Sequence, residues 1–153
     1  MNIKIIVVGS IKEEFYRNKI NYYIDKISKK DNIQLIELKD ESIPKNAGEA
    51  VMQEVIRREG ERILSNIDNT DYVIALCIEG RATDGNMLKK VVKRAARTRN
   101  GAVTFVIGGS LGLSEQVVKR ADYELSFSKM TFPHQLMRVM LLEQIYYCLT
   151  CDM

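Results

Sequence analysis

Residues 126–135 read Ser126-Phe127-Ser128-Lys129-Met130-Thr131-Phe132-Pro133-His134-Gln135 and connect a short β-prone run to an apolar helix. This connector combines hydroxyl side chains, one cation, a proline and the only histidine of the chain. Pro133 suits the first turn of the helix because its ring fixes φ near the helical value. The hydroxyl of Thr131 is expected to help cap that helix. Free N–H groups at a helix start can bind a ligand, so the connector is either a capped loop or a binding loop.

A second segment, Thr104-Phe105-Val106-Ile107-Gly108-Gly109-Ser110-Leu111-Gly112-Leu113, runs from a buried-type strand straight into a glycine loop. Glycine lets the backbone take positive φ and lets a ligand approach closely. The G-G-x-x-G spacing is not the dinucleotide-binding fingerprint, and no acidic residue follows at the expected place. A nicotinamide-dependent oxidoreductase is therefore disfavoured.

Together, the two segments resemble the signature of the RlmH (YbeA-type) methyltransferases, small members of the SPOUT class. The matching motifs are Phe105-Val106-Ile107-Gly108-Gly109-Ser110-x-Gly112 and Leu125-Ser126-Phe127-Ser128-Lys129-Met130-Thr131-Phe132-Pro133-His134-Gln135-x-Met137-Arg138. The similarity extends over nearly the whole chain, from Ile3 to about Tyr146. It implies one SPOUT methyltransferase domain, residues 1–153, with a trefoil knot in the C-terminal half of an α/β fold.

The resemblance also implies a reaction. The family transfers a methyl group from S-adenosylmethionine to N3 of a pseudouridine in 23S rRNA, in the helix 69 loop of the assembled ribosome. The positions that match its donor contacts are Leu76, Gly108, Gly109, Phe127, Ser128, Lys129, Met130, Thr131 and Phe132. An N3–H group must lose its proton before the nitrogen attacks, and His134 and Arg138 are the candidate base and stabilising cation. Alternatively, His134 is bonded to backbone at the helix start, and Arg138 pairs with Glu143 or binds phosphate.

The end of the chain departs from the family pattern. The family closes with a Tyr-Arg pair and a Gly-x-x-Tyr-His tail, whereas Tyr147 replaces the arginine here and residues 148–153 read Cys-Leu-Thr-Cys-Asp-Met. The chain end looks truncated or frame-shifted. A second hypothesis is therefore a donor-binding, ribosome-associated module that has lost turnover.

Composition limits the class of protein. A chain of 153 residues with 46% apolar and 28% charged residues is typical of one globular domain. No apolar run is long enough for a membrane span and no signal segment is evident, which predicts a soluble, cytoplasmic protein without a membrane partner. The net charge of +3 permits contact with nucleic acid. Cys148 and Cys151 form a lone C-x-x-C without a nearby histidine, so no metal is expected.

The pattern along the chain alternates strands and helices, which predicts a mainly parallel sheet with helices on both faces. The predicted strands are residues 3–8, 33–38, 72–78, 103–107 and 123–127, and the predicted helices are residues 12–28, 49–67, 86–98, 115–121 and 135–147. Gly60 is expected to weaken the second helix. Periodicity alone suggests an open Rossmann-like sheet. Strand exits after Ile78, Ile107 and Phe127 are expected to meet at one edge, where α/β folds bind ligands.

Two helices suggest surfaces for partners. The third helix and the residue after it carry six cations that are expected to lie mostly outward: Lys89, Lys90, Lys93, Arg94, Arg97 and Arg99. This basic face is either simply solvated or contacts phosphate groups. The last helix is apolar nearly all round and needs cover on two sides, which predicts a homodimer. Leu142 and Met140 are the predicted interface residues.

Overall fold

The computed structural model describes residues 1–151, so Asp152 and Met153 of the divergent tail lie outside the described residues. The elements in chain order are β1 (Asn2–Val8), α1 (Glu14–Ser28), β2 (Asn32–Leu38), α2 (Glu49–Ser65), β3 (Tyr72–Ala82), α3 (Gly85–Thr98), β4 (Val103–Ile107), α4 (Glu115–Arg120), β5 (Tyr123–Ser126) and α5 (His134–Thr150). The strands form one sheet in the order β2-β1-β4-β3-β5, and every pairing is parallel. The predicted alternation and the predicted parallel sheet are confirmed.

Apolar side chains cover both faces of this sheet, as a parallel sheet requires. On one face, α1, α3 and α5 share a core with Ile5, Phe105 and Leu125. On the other face, α2 and α4 pack against Ile6 and Val106. The prediction of helices on both faces is therefore confirmed, and the trefoil knot in the C-terminal half stays a prediction.

A buried carboxylate ties three strands together at the amino ends of the sheet. Asp71, immediately before β3, is 1% exposed and accepts hydrogen bonds from Lys4 of β1 at 2.9 Å and Thr104 of β4 at 3.0 Å. The backbone N–H groups of Asp68 and Ala102 complete its coordination. This network therefore lies at the opposite end of the sheet from the carboxyl ends of the strands.

Helix α5 packs against α1 and α3. Leu141, Leu142 and Ile145 are each at most 1% exposed and belong to the subunit's own core. The prediction that Leu142 lies at a subunit interface is therefore wrong. A helix that is apolar nearly all round does not reveal which of its sides packs against the rest of its own subunit. Met140 is only half-buried and Tyr147 is 41% exposed, so an apolar face of α5 remains open.

Within residues 1–151, no helix combines the length and the apolar character that crossing a membrane requires.

Candidate functional site

A cavity of about 580 Å³ opens beside the middle of β3 and the carboxyl ends of β4 and β5. Its walls come from residues 76–79 within β3, residues 107–113 at and after the end of β4, and the loop that follows β5. His134 and Met137 of α5 also line it, as do Val118 of α4 and Glu124 and Leu125 of β5. The segments after Ile78, Ile107 and Phe127 thus line one cavity, although the segment after Ile78 is a bulge within β3 and not the predicted strand exit. The cavity lies in the place where α/β folds bind ligands.

A bulge in β3 forms one wall of this cavity. Leu76 and Arg81 both pair with Leu125 of β5, so residues 77–80 leave the ladder. The hydroxyl of buried Ser126 donates a 2.9 Å hydrogen bond to the carbonyl of Ile78 within the bulge. The predicted strand ended at Ile78, whereas β3 resumes after the bulge and runs to Ala82. Sequence pattern missed the extension because Glu79, Gly80 and Arg81 read as a turn.

The glycine loop after β4 folds back on itself. A Cβ atom at Gly108 would lie 2.8 Å from Leu113 Cδ2 and 3.0 Å from the main chain of Gly112. Gly112 takes a φ of 86° and donates a 3.0 Å hydrogen bond from its N–H to Gly109. The loop can fold in this way because residue 108 has no side chain. As a consequence, main-chain atoms rather than side chains form this part of the cavity wall.

The loop after β5 supplies most of the other predicted donor contacts. Phe127, Ser128, Met130, Thr131 and Phe132 line the cavity, together with Leu76, Gly108 and Gly109 from the other two walls. Lys129 is exposed and does not line it. The hydroxyl of Ser128 accepts a 3.0 Å hydrogen bond from the N–H of Met130, which braces the loop internally.

The start of α5 faces the same cavity without a side-chain cap. Pro133 is the N-cap residue, with φ at −54°, and no side chain caps the helix. The predicted cap by Thr131 is therefore wrong, since this residue lines the cavity instead. The first N–H groups of α5 lie beside the cavity that His134 lines and retain their capacity to donate to a ligand.

His134 is half-buried, and its pKa lies below the ordinary histidine value because burial and the nearby charge of Arg138 both disfavour the imidazolium. The ring is accordingly neutral near pH 7 and can accept a proton. Within residues 1–151 its nitrogens make no hydrogen bond, so the alternative of a backbone-bonded histidine finds no support there.

Arg138, one turn further along α5, is turned toward β1. Its Nη2 donates to the carbonyls of Val8 at 3.1 Å and Gly9 at 2.7 Å, and its Nη1 pairs with Glu37 at 3.3 Å. The expected alternative of a Glu143 pair is therefore wrong, because α5 begins over the carboxyl ends of β1 and β2. Arg138 is 3% exposed and is not among the cavity-lining residues.

Cys77 lines the cavity as a neutral thiol, since burial and the neighbouring Glu124 carboxylate raise its pKa to about 11. Burial likewise raises the pKa of Cys148 to about 11. Among residues 1–151, no group of three or more His, Cys, Asp or Glu side chains is arranged to hold a metal ion.

The basic side chains on and just after α3 fall into two groups, those bound to other protein groups and those that are exposed. Lys89 is 4% exposed and donates to the carbonyl of Cys151, so the expectation that it lies outward is wrong. Arg99, the C-cap residue that follows α3, pairs with Asp122 at 2.9 Å. The remaining cations are exposed and make no ion pair within the described part of the chain: Lys90, Lys93, Arg94 and Arg97.

Comparisons with known proteins agree with this architecture. A family model described as predicted SPOUT methyltransferase matches residues 1–151. The protein named ribosomal RNA large subunit methyltransferase H from Clostridioides difficile is 47% identical over 146 residues, which cover 95% of this chain and 92% of that protein. A protein of the same name from Clostridium botulinum is 49% identical over the same shares. Ribosomal RNA large subunit methyltransferase H 2 from Caldanaerobacter subterraneus is 48% identical over 97% of this chain and 99% of its own length.

Proposed function

The chain belongs to the SPOUT methyltransferase family, and from that premise we propose that it methylates the RNA of the large ribosomal subunit. More specifically, the methyl group passes from S-adenosylmethionine to N3 of a pseudouridine in the helix 69 loop of 23S rRNA, in the assembled ribosome. The observation that carries the proposal is the cavity beside the bulge of β3 and the ends of β4 and β5, because both motif loops line it. An enzyme of this kind works in the cytoplasm.

The residues around the cavity fit a donor with an adenine ring and a short charged chain. Leu76, Phe127 and Phe132 offer apolar surface to the ring, while Gly108 and Gly109 present main-chain atoms at the cavity wall. The cavity volume of about 580 Å³ is in the range of small-molecule sites. Lys129 remains in the proposed set through its place in the motif alone. When bound, the donor supplies an electrophilic methyl group.

His134 is proposed as the base of the reaction. Methylation of an imide nitrogen requires loss of the N3 proton, and a neutral histidine at the cavity wall can accept it. The remaining task of the protein is to hold donor and acceptor in line, which accounts for a cavity built from braced loops.

Arg138 is given a positioning role in this scheme. Its guanidinium is bound to the carbonyls at the end of β1 and to Glu37, so it fixes the first turns of α5 and thereby the ring of His134. Its side chain is not among the residues that line the cavity, which is why a positioning role is proposed for it.

Two copies of the chain are proposed to pair through the open face of α5. Met140 is half-buried and Tyr147 is 41% exposed on that helix, and a second subunit is a natural cover for such a face.

The test is a transfer assay with methyl-labelled donor and purified ribosomes that lack the modification, followed by nucleoside analysis of the 23S rRNA. Label in N3-methylated pseudouridine is the expected result. His134→Gln should retain donor binding by calorimetry and lose most of the transfer. Donor binding by the parent without any transfer would overturn the proposal and leave the donor-binding module as the better description.

A further inference from the structure

A second cavity of about 650 Å³ lies along the outer edge of the sheet, between β5 and α3. We propose that it binds the sugar-phosphate backbone of the rRNA loop next to the target nucleotide. This inference rests on the proposed function, since it assigns the place where the RNA substrate is held beside the donor cavity.

The two cavities are neighbours. Glu79, from the bulge in β3, and Glu124 of β5 line both of them and therefore stand at their boundary. An RNA strand that delivers one nucleotide to the donor cavity can thus place an adjacent nucleotide in the second cavity. Such a path requires an unpaired loop, because only splayed nucleotides can enter two separate pockets.

Three cations line the second cavity and not the first. Arg81 comes from the end of β3, whereas Lys90 and Arg94 come from successive turns of α3. All three are exposed, and none forms an ion pair within residues 1–151. Convergence of unpaired cations from two elements is the arrangement that binds phosphate.

The acidic lining does not cancel this charge where phosphate would sit. Asp122 is already engaged by Arg99 at 2.9 Å and Arg120 at 3.3 Å. Glu79 and Glu124 lie at the boundary with the donor cavity, where carboxylates repel phosphate but can accept hydrogen bonds from ribose hydroxyls. The charges therefore favour phosphate at the Lys90–Arg94 side of the cavity.

Arg81 is also held in place before any ligand arrives. Its guanidinium carbon lies 5.5 Å from the centroid of the Tyr123 ring, a cation–π distance. The Tyr123 hydroxyl lies 3.0 Å from that of Thr83, which orients the ring. A guanidinium held over an aromatic ring keeps N–H donors available to a phosphate or a base edge.

Helix α3 offers a charge-matched experiment. Lys90→Ala with Arg94→Ala removes two cations from the cavity, whereas Lys93→Ala with Arg97→Ala removes two exposed cations of the same helix outside it. Binding of each full-length variant to purified ribosomes is measured across a salt series, with donor binding and sedimentation as controls. The cavity pair should bind more weakly, and its salt slope should be less steep by about 1 for each phosphate that the variant no longer neutralises. The outer pair should bind like the parent.

Equal losses in the two double variants would overturn the inference, since they would show that overall charge alone is sensed. An Arg81→Gln variant that binds ribosomes as tightly as the parent would also overturn the inference. It would show that cations of α3 contribute to binding but that the second cavity, which Arg81 lines, does not. A change of oligomeric state in the cavity pair would mean that a second subunit, and not RNA, covers this surface. If the parent itself neither binds ribosomes nor methylates them, the proposed function fails, and this result is distinct from a loss confined to the cavity variants.

Discussion

Arg138 Nη2 lies 2.7 Å from the main-chain oxygen of Gly9, so a buried side chain of the last helix is bonded to the end of the first strand. The two residues are 129 positions apart in sequence. Because His134 lies one turn before Arg138, this contact determines how the start of α5 is held against the cavity.

Replacement of Arg138 should therefore destabilise the protein. In Arg138→Met the carbonyls of Val8 and Gly9 lose this donor inside the protein, at a cost of about 1–3 kcal/mol for an unsatisfied buried group. Arg97→Met is the control, because Arg97 is exposed and unpaired within the described residues, and it should change stability by less than about 0.5 kcal/mol. Urea unfolding measures both, and equal midpoints would contradict the role given to Arg138.

The pKa of His134 should lie below about 6.5, the ordinary value for histidine. Burial and the Arg138 charge both act in this direction. Because His134 is the only histidine of the chain, its ring-proton signals can be followed by NMR without overlap from other histidines. Transfer activity should fall as pH drops through the same pKa, because a protonated ring cannot accept the N3 proton. Activity that is insensitive to pH in that range would exclude His134 as the base.

Substitution of Gly108 should abolish donor binding. Gly108→Val fills space at the cavity wall, and even Gly108→Ala places a Cβ atom 2.8 Å from Leu113 and forces the loop to move. Gly48→Ala is the matched control, since a Cβ atom there meets nothing within 4 Å. Calorimetric titration with S-adenosylmethionine distinguishes them. A Gly108→Val variant that binds as tightly as the parent would place the donor elsewhere.

The proposed dimer predicts different outcomes for two neighbouring residues of α5. Met140→Glu puts a charge on the open face and should give a folded monomer in sedimentation. Leu142→Glu puts a charge in the subunit's own core, where Leu142 is 1% exposed, and should unfold the chain instead. A parent that sediments as a well-folded monomer at micromolar concentration would rule out the dimer.

The sequence predicts what depends on local pattern and misses what depends on distant partners. Runs such as residues 103–107, which are apolar except for Thr104, identify the buried strands, since both faces must be covered. From the sequence, Gly60 is expected only to weaken α2. In the structure a Cβ atom at this position would overlap the Ser114 hydroxyl, so glycine permits close packing between α2 and the start of α4. The bulge in β3 depends on its register with β5, and the role of Arg138 depends on carbonyls of β1. Neither is visible in the neighbouring sequence.

The buried network around Asp71 predicts how stability depends on pH. Burial alone would raise the pKa of Asp71, but hydrogen bonds from Lys4, Thr104 and two backbone N–H groups outweigh it and lower the pKa below the ordinary value. A depressed pKa contributes stability above the unfolded-state value of about 3.9, and this contribution is lost as pH falls through that value toward the folded-state pKa.

Asp71→Asn should therefore lower the free energy of unfolding at pH 7, and its stability should decline less steeply than that of the parent between about pH 5 and pH 3. Asp68→Asn is the control because Asp68 also pairs with Lys4, at 3.3 Å, but its side chain is 78% exposed and surface pairs contribute little. Urea unfolding across this pH range measures both variants. Parallel curves for Asp71→Asn and the parent would mean that Asp71 is not the titrating group, and an equal effect of Asp68→Asn would show that burial is not what gives Asp71 its influence.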